Sequence, residues 1–231
     1  MITQLPLAFN LLDNVTFSNF FFSEQNKQLY FSLKNFLEPN NLQENFFYLW
    51  GNQEAGKTHL LQACCNYAVE KNISAMYISL ENYKNNNFLD GLDNLNLLCL
   101  DNLNLLINNF KLEEQLFYLF NKMRAKRNKL IISANCPHNK LNLELLDLKS
   151  RMSWGMNYCI YGLIEQEKVQ ALIMRAEQIG LKLDEIVANF LLTRISRNTG
   201  KLFKVLEELD MASLAAKRRL TIPFVKSVLN I

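Results

Sequence analysis

The eight residues Gly51-Asn52-Gln53-Glu54-Ala55-Gly56-Lys57-Thr58 constrain this chain more than any other stretch. They follow the apolar run Phe46-Phe47-Tyr48-Leu49-Trp50 and open a helix-like segment over residues 60–69. Gly-x4-Gly-Lys-Thr between a strand and a helix reads as a phosphate-binding loop. Backbone N–H groups close around phosphate oxygens where a Cβ would intrude, the lysine supplies positive charge, and the hydroxyl ligates Mg²⁺. The chain holds only seven glycines, so two at the required places are not the by-product of a glycine-rich sequence.

Short apolar runs recur over residues 74–80, 97–100, 129–133 and 157–161, separated by helix-length stretches such as 112–127. Covered parallel strands have this pattern, and it predicts an α/β domain. The run at 97–100 delivers Asp101 at its end, where a carboxylate would hold the Mg²⁺ of a bound nucleotide directly or through water. Asn102 follows, and an amide cannot act as a general base. Slow or absent self-hydrolysis is the expectation, unless another acid such as Glu54 serves. Asn135 reads either as a contact to the γ-phosphate or its water, or as a turn residue before Pro137. Arg151, in Lys149-Ser150-Arg151-Met152-Ser153-Trp154-Gly155, lies outside any apolar periodicity. It reads either as a surface salt-bridge partner or as an arginine finger directed at a neighbouring protein's nucleotide.

From Leu163 onward the pattern is purely helical. Stripes at Val169, Leu172, Ile173, Ala176 and Ile179, then Val187, Phe190, Leu191 and Ile195, then Leu202, Phe203, Leu206 and Leu209 precede a short last helix at Thr221-Ile222-Pro223. They predict a small all-α lid. Upstream, Thr16-Phe17-Ser18-Asn19-Phe20-Phe21-Phe22 leads into a helix predicted over 26–37. Its aromatics read as core, with one or two as alternatives for walling an adenine pocket. In the first nine residues, Gln4, Leu5, Leu7 and Phe9 have the spacing of a short docking peptide, with an amide for a polar pocket and two apolar anchors. The alternative is an edge strand or a tail packed on its own domain.

At 231 residues and 49% hydrophobic content the chain suits one larger domain and one small one. A net charge of +3 does not by itself imply a nucleic-acid partner, and no apolar run approaches the roughly 20 residues of a membrane span. No basic residue precedes Lys27, which argues against a signal peptide. Five cysteines with no Cys-x-x-Cys pair predict reduced thiols in a cytoplasmic protein rather than a metal site. Basic groups at Lys122, Arg124, Lys126, Arg127 and Lys129, and at Lys217, Arg218 and Arg219, read as solvated helix ends or as contacts to an acidic partner or DNA. His59 and His138 receive no role.

The order of Thr16-Phe17-Ser18-Asn19-Phe20, the phosphate loop, Leu100-Asp101-Asn102, Asn135, Ser150-Arg151-Met152-Ser153-Trp154-Gly155 and Leu220-Thr221-Ile222-Pro223-Phe224-Val225 resembles the AAA+ domain of the DnaA family. Within that family it is most similar to the Hda-type regulatory inactivators of the replication initiator DnaA. The resemblance implies a clamp-binding segment over 1–12, an AAA+ P-loop domain with a parallel sheet over 13–161, and a helical lid over 162–231. It also implies negative regulation of replication initiation. Gln4, Leu5, Leu7 and Phe9 would bind the DNA polymerase III β sliding clamp, leaving DNA contact indirect, and Arg151 would act in trans to promote ATP hydrolysis by DnaA. ADP or ATP with Mg²⁺ would be held by Gly51 to Thr58, Asp101 and Asn135, the metal through Thr58 and Asp101, and would set geometry rather than be turned over. Where such lids present an arginine, this chain has Asn198-Thr199-Gly200-Lys201-Leu202. Lys201 would substitute from one position over, without the bidentate fork of a guanidinium. Two rivals stand beside this reading: an autonomous ATP-driven loader or remodeller of DNA or a helicase, and a non-catalytic clamp-bound adaptor. A homo-oligomer is left open.

Overall fold

The computed structural model of the protein describes residues 15–41, 43–82, 88–106 and 109–231. Gln4, Leu5, Leu7 and Phe9 lie outside the described residues.

Five short apolar runs become strands: β1 (Phe46–Trp50), β2 (Ala75–Ser79), β3 (Leu97–Asp101), β4 (Lys129–Ala134) and β5 (Met156–Cys159). They form one sheet in the order β2-β3-β4-β1-β5, with every pairing parallel. Every residue of β3 is buried, as expected where helices cover both faces of a parallel sheet. β4 runs one residue beyond the sequence estimate because Ala134 pairs with Trp50 at the end of β1. Parallel pairing gathers the C-terminal ends of the strands on one edge, and that edge is where α/β folds bind ligands.

The helices of this unit are α1 (Lys27–Leu37), α2 (Lys57–Glu70), α3 (Phe110–Ala125) and α4 (Leu146–Met152). α1 buries Leu29, Leu33, Phe36 and Leu37, the spacing of one helical stripe. α2 presents Ala63, Cys64, Cys65 and Ala68 among its buried residues, and these small side chains let it approach the sheet closely. α3 buries Leu116, Leu119, Phe120 and Met123. α4 is short and anchored by Leu148 and Met152, four residues apart. Each large side chain removed from water here contributes about 1.5–3 kcal/mol before ordering costs.

The described residues divide into two compact units, one of 25–161 with 15–17, the other of Ser18–Glu24 with Gly162–Ile231. The second unit is all-helical: α5 (Glu165–Gln178), α6 (Glu185–Arg194), α7 (Thr199–Ala216) and α8 (Ile222–Leu229). Val169, Leu172, Ala176, Leu191, Leu202, Leu206, Leu209 and Val225 build its core from the predicted stripes. Thr221 caps α8 by accepting from the Phe224 N–H, and Pro223 sits in the first turn, where its missing donor costs nothing. Gln178 Nε2 donates to the Ser18 carbonyl at 3.0 Å, tying the 18–24 segment to α5.

Of the upstream aromatics, Phe17 is core, its ring edge-on to Tyr30 and Tyr67. Phe20 and Phe22 pack on each other in the second unit with ring centres 4.5 Å apart. His59, left without a role by its sequence context, meets the Thr16 carbonyl at 3.1 Å. Asn66 Nδ2 donates to Val15 O, so α2 anchors the chain just upstream of Phe17. No helix among the described residues is long and apolar enough to cross a membrane.

Candidate nucleotide-binding site

The loop after β1 owes its shape to backbone positions that few residues tolerate. Gly56 takes φ +100° and Glu54 φ +66°, so N–H groups turn inward at the start of α2. Gly51 is required for a reason apart from phosphate: a Cβ there would lie 2.4 Å from the Ile160 carbonyl oxygen where the chain leaves β5. Asn52, Gln53 and Glu54 are exposed along the loop, while Ala55 is buried beneath it.

Lys57, 8% exposed, folds back so that Nζ donates to the carbonyls of Gly51 and Asn52, both at 2.8 Å. Burial pushes its pKa below the ordinary value of 10.5, and the Asp101 carboxylate pulls it partway back up. A cation that has lost much of its water and found only carbonyl dipoles is primed for an anion. The loop therefore fits phosphate oxygens.

Asp101 is fully buried at the end of β3. Its Oδ2 accepts from Thr58 Oγ1 at 2.6 Å and from Tyr77 OH at 2.9 Å; its Oδ1 accepts from the Asn102 N–H at 3.1 Å and from Ser133 Oγ. Thr58 and Asp101 are thus joined side by side, the donor set that would hold a nucleotide's Mg²⁺. Burial first, and then the Asp101 charge, raise the Tyr77 hydroxyl well above its usual pKa, which keeps it a donor. Tyr77 and Ser133 are missed by a sequence reading because their approach depends on strand register: Ser79 pairs with Asp101, and Tyr77 lies two residues back on the same face of β2. Replacing Asp101 with Ala strands several donors at once. At about 1–3 kcal/mol for each donor left unpaired, we expect a loss of about 3 kcal/mol or more, read as a lower urea midpoint at unchanged slope.

Asn102 adopts φ +65°, a left-handed conformation that Asn tolerates better than most residues. Its Nδ2 donates to Glu81 Oε1 at 3.1 Å. A second carboxylate at the end of β3, beside Asp101, therefore comes from the turn after β2, a position that no linear motif marks. Asn135 is exposed immediately after β4, next to Ala134, whose carbonyl accepts from the Gly51 N–H. Sheet topology thus brings Gly51 to Thr58, Glu81, Asp101, Asn102 and Asn135 to one edge. Lys201 belongs to the helical unit, exposed in the first turn of α7, where its backbone N–H donates to the capping Asn198 side chain at 2.8 Å.

Arg151 is not on that edge. It lies in the last turn of α4, four residues before Gly155, after which β5 starts. A Cβ at Gly155 would lie 2.4 Å from the carbonyl oxygen of Phe46, the first residue of β1. The segment carrying Arg151 is therefore fixed to the N-terminal end of a strand whose C-terminal end, about 13 Å away at 3.3 Å per residue, feeds the phosphate loop. Arg151 is half-buried, and its guanidinium makes no ion pair or hydrogen bond to the described residues; Nε is buried without a partner. The guanidinium carbon stands 3.9 Å from the centre of the Trp154 ring and 5.6 Å from that of Phe117. Of the five neighbouring basic residues, Lys126 pairs with Asp93 and Lys129 donates to the Glu38 carbonyl, whereas Arg124 lies on the same indole at 4.3 Å.

Comparison with known proteins agrees with this geometry. Residues 11–159 match the model of the bacterial DnaA ATPase domain, and residues 165–229 match that of the Hda lid domain. The chain is 39% identical to an uncharacterized protein of Haemophilus influenzae, over 100% of both chains. Domain III of the Thermotoga maritima replication initiation protein DnaA superposes with a TM-score of 0.78 at 22% identity, covering 94% of this chain and 95% of that one. AMPPCP-bound DnaA from Aquifex aeolicus gives 0.72 at 24% identity, covering 86% of this chain and 66% of that one. With the larger unit matched to the DnaA ATPase domain and the helical unit to the Hda lid, the chain belongs to the DnaA family of AAA+ proteins and carries a lid of the Hda type.

Proposed function

We propose that this protein binds ADP or ATP with Mg²⁺ in the loop Gly51 to Thr58 and restrains replication initiation by promoting ATP hydrolysis in DnaA. In this reading Lys57 and the loop N–H groups neutralise phosphate charge, and Thr58 and Asp101 hold the metal. Asn135 contacts the nucleotide from the sheet edge, and Lys201 is proposed as a further nucleotide contact. The Aquifex aeolicus DnaA structure carries AMPPCP, an ATP analogue, which supports an adenine nucleotide here. The larger domain would span 13–161 and the lid 162–231.

The observation that carries the reading is Arg151, a cation that forms no ion pair among the described residues, held at the end of the sheet opposite its own phosphate loop. A guanidinium so placed serves a neighbour's phosphates better than its own, and an arginine supplied in trans contributes about 10³ to 10⁵ in rate. The test mixes ATP-loaded DnaA, DNA-loaded sliding clamp and this protein and follows conversion of bound ATP to ADP.

The clamp is proposed to be engaged by Gln4, Leu5, Leu7 and Phe9, with DNA touched only through it and the protein working in the cytoplasm. Gln4→Ala combined with Leu7→Ala is expected to weaken clamp retention roughly a hundredfold or more, since an amide contact and a buried leucine are lost together. Undiminished retention in a pull-down on loaded clamp would remove the segment from the account.

One observation favours the autonomous ATPase as a second reading: Glu81 stands beside Asn102, where an acid could orient water. Under that reading the isolated protein turns over several ATP per minute and Glu81→Gln abolishes the turnover. Under the first, intrinsic hydrolysis is slow and the same substitution leaves stimulation of DnaA intact.

A further inference from the structure

We propose that Trp154 is the positioning residue of the Arg151 finger, an inference that rests on reading Arg151 as acting in trans. The spacing Arg151-x-x-Trp154-Gly155 builds the arrangement locally. The Trp154 N–H donates to the Arg151 carbonyl at 3.0 Å, and Ser153 N–H to Ser150 O at 3.2 Å, so the final turn of α4 continues and places the two side chains three residues apart on one face. Gly155, at φ +74° and with no room for a Cβ against Phe46 O, turns the chain at once into β5 and fixes where the indole stands. The ring is then held by its neighbours: Phe120, itself core, meets it edge-on at 6.3 Å, and the Arg124 guanidinium lies 4.3 Å from its centre. Trp154 nonetheless keeps 37% of its surface exposed, so the indole is displayed and not consumed in packing.

Stacking differs from an ion pair in what it leaves available. A carboxylate would neutralise the guanidinium and occupy its in-plane N–H donors. A ring face attracts the cation through its quadrupole while those donors and most of the charge stay free. Trp154 therefore narrows the rotamers of a long side chain while the terminal guanidinium nitrogens make no hydrogen bond to the described residues; the buried Nε is not among the donors a phosphate can reach. Arg124 on the same ring adds a second positive charge to this surface, and neither arginine forms an ion pair among the described residues, although Asp147 lies one turn before Arg151 and Glu44 lines the same cavity as Arg124 and Trp154. Such a surface suits an anionic approach.

The test compares Trp154→Leu, which keeps an apolar side chain and removes the ring face, with Trp154→Phe, which keeps a ring. Both are measured with ATP-loaded DnaA and DNA-loaded clamp beside Arg151→Ala. We expect Trp154→Leu to lower the maximal stimulated rate about three- to tenfold, with the half-saturating concentration changed less than about twofold. Trp154→Phe should recover the rate to within about twofold. Urea midpoint and the protein's own nucleotide affinity should match the parent in both. A Leu variant at full rate, a Phe variant as impaired as the Leu one, or a change confined to half-saturation overturns the proposal. If Arg151→Ala leaves stimulation intact, the finger reading itself fails and Trp154 falls with it; if Arg151→Ala abolishes stimulation while Trp154→Leu is neutral, only the positioning role is lost.

Discussion

Replacing Arg151 with Ala is expected to lower the protein's stimulation of DnaA ATP hydrolysis by about three orders of magnitude, leaving its own nucleotide affinity and clamp retention unchanged. The size follows from what a guanidinium does when it enters another protein's nucleotide site: it meets charge that develops on the transferring phosphoryl group, in a place from which water has been excluded. The selectivity follows from this structure. Arg151 has no ion pair to break, and the segment that bears it is braced by Leu148 and Met152, both fully buried. Its loss should cost the fold little. Arg151→Lys should fail nearly as badly, because an ammonium keeps the charge but loses both the planar fork and the stacking on Trp154. Unchanged stimulation by the Ala variant would leave a clamp-bound adaptor as the better account.

The second large effect is expected at Lys57. Lys57→Ala should abolish the stabilisation that saturating nucleotide confers on the parent protein, about 2.7 kcal/mol when ligand stands at a hundred times its Kd. The nucleotide-free variant should fold about as well as the parent, since the lysine's two carbonyl bonds are offset by the burial of its charge. pH gives an independent check. The folded, nucleotide-free protein holds the Lys57 proton less tightly than the unfolded chain does, because burial lowers the pKa from 10.5. Between the lowered value and 10.5 the unfolded state binds more protons, so this group's contribution to stability rises with pH across that window. Phosphate in the loop favours the charged ammonium, so nucleotide binding at alkaline pH should take up protons. Calorimetry in buffers of different ionisation enthalpy measures that uptake, and its absence in Lys57→Ala would assign it.

Much of the larger unit was legible because its signals are local. The strand runs, the phosphate loop, Asp101 after an apolar run and the helical stripes from Val169 onward each depend on residues close in sequence, through pleat, helical period or a left-handed turn. The family resemblance rested on the same short stretches. The surroundings of Asp101 were less legible. Thr58 was expected near it from the motif, but Tyr77 and Ser133 reach it only because β2 and β4 flank β3 in one register. The sequence offers Glu54 in the loop as an acid for this site; the structure adds Glu81 beside Asn102, delivered by the end of another strand. Arg151 stands outside any apolar periodicity in the sequence, and the short helix that carries it is not legible there because only two buried side chains, Leu148 and Met152, hold it.

Contiguous residues by themselves determined the loop's conformation, the strands and helices, and the family, because torsional preference and the spacing of apolar side chains act over a few residues. Only the tertiary structure decided that Asp101 is fully satisfied, that Glu81 faces Asn102, and that Arg151 stands stacked on Trp154, with no ion pair among the described residues, away from its own phosphate loop. Those facts turn on strand order and register, which are chosen by packing the whole sheet against its helices and are written in no single segment.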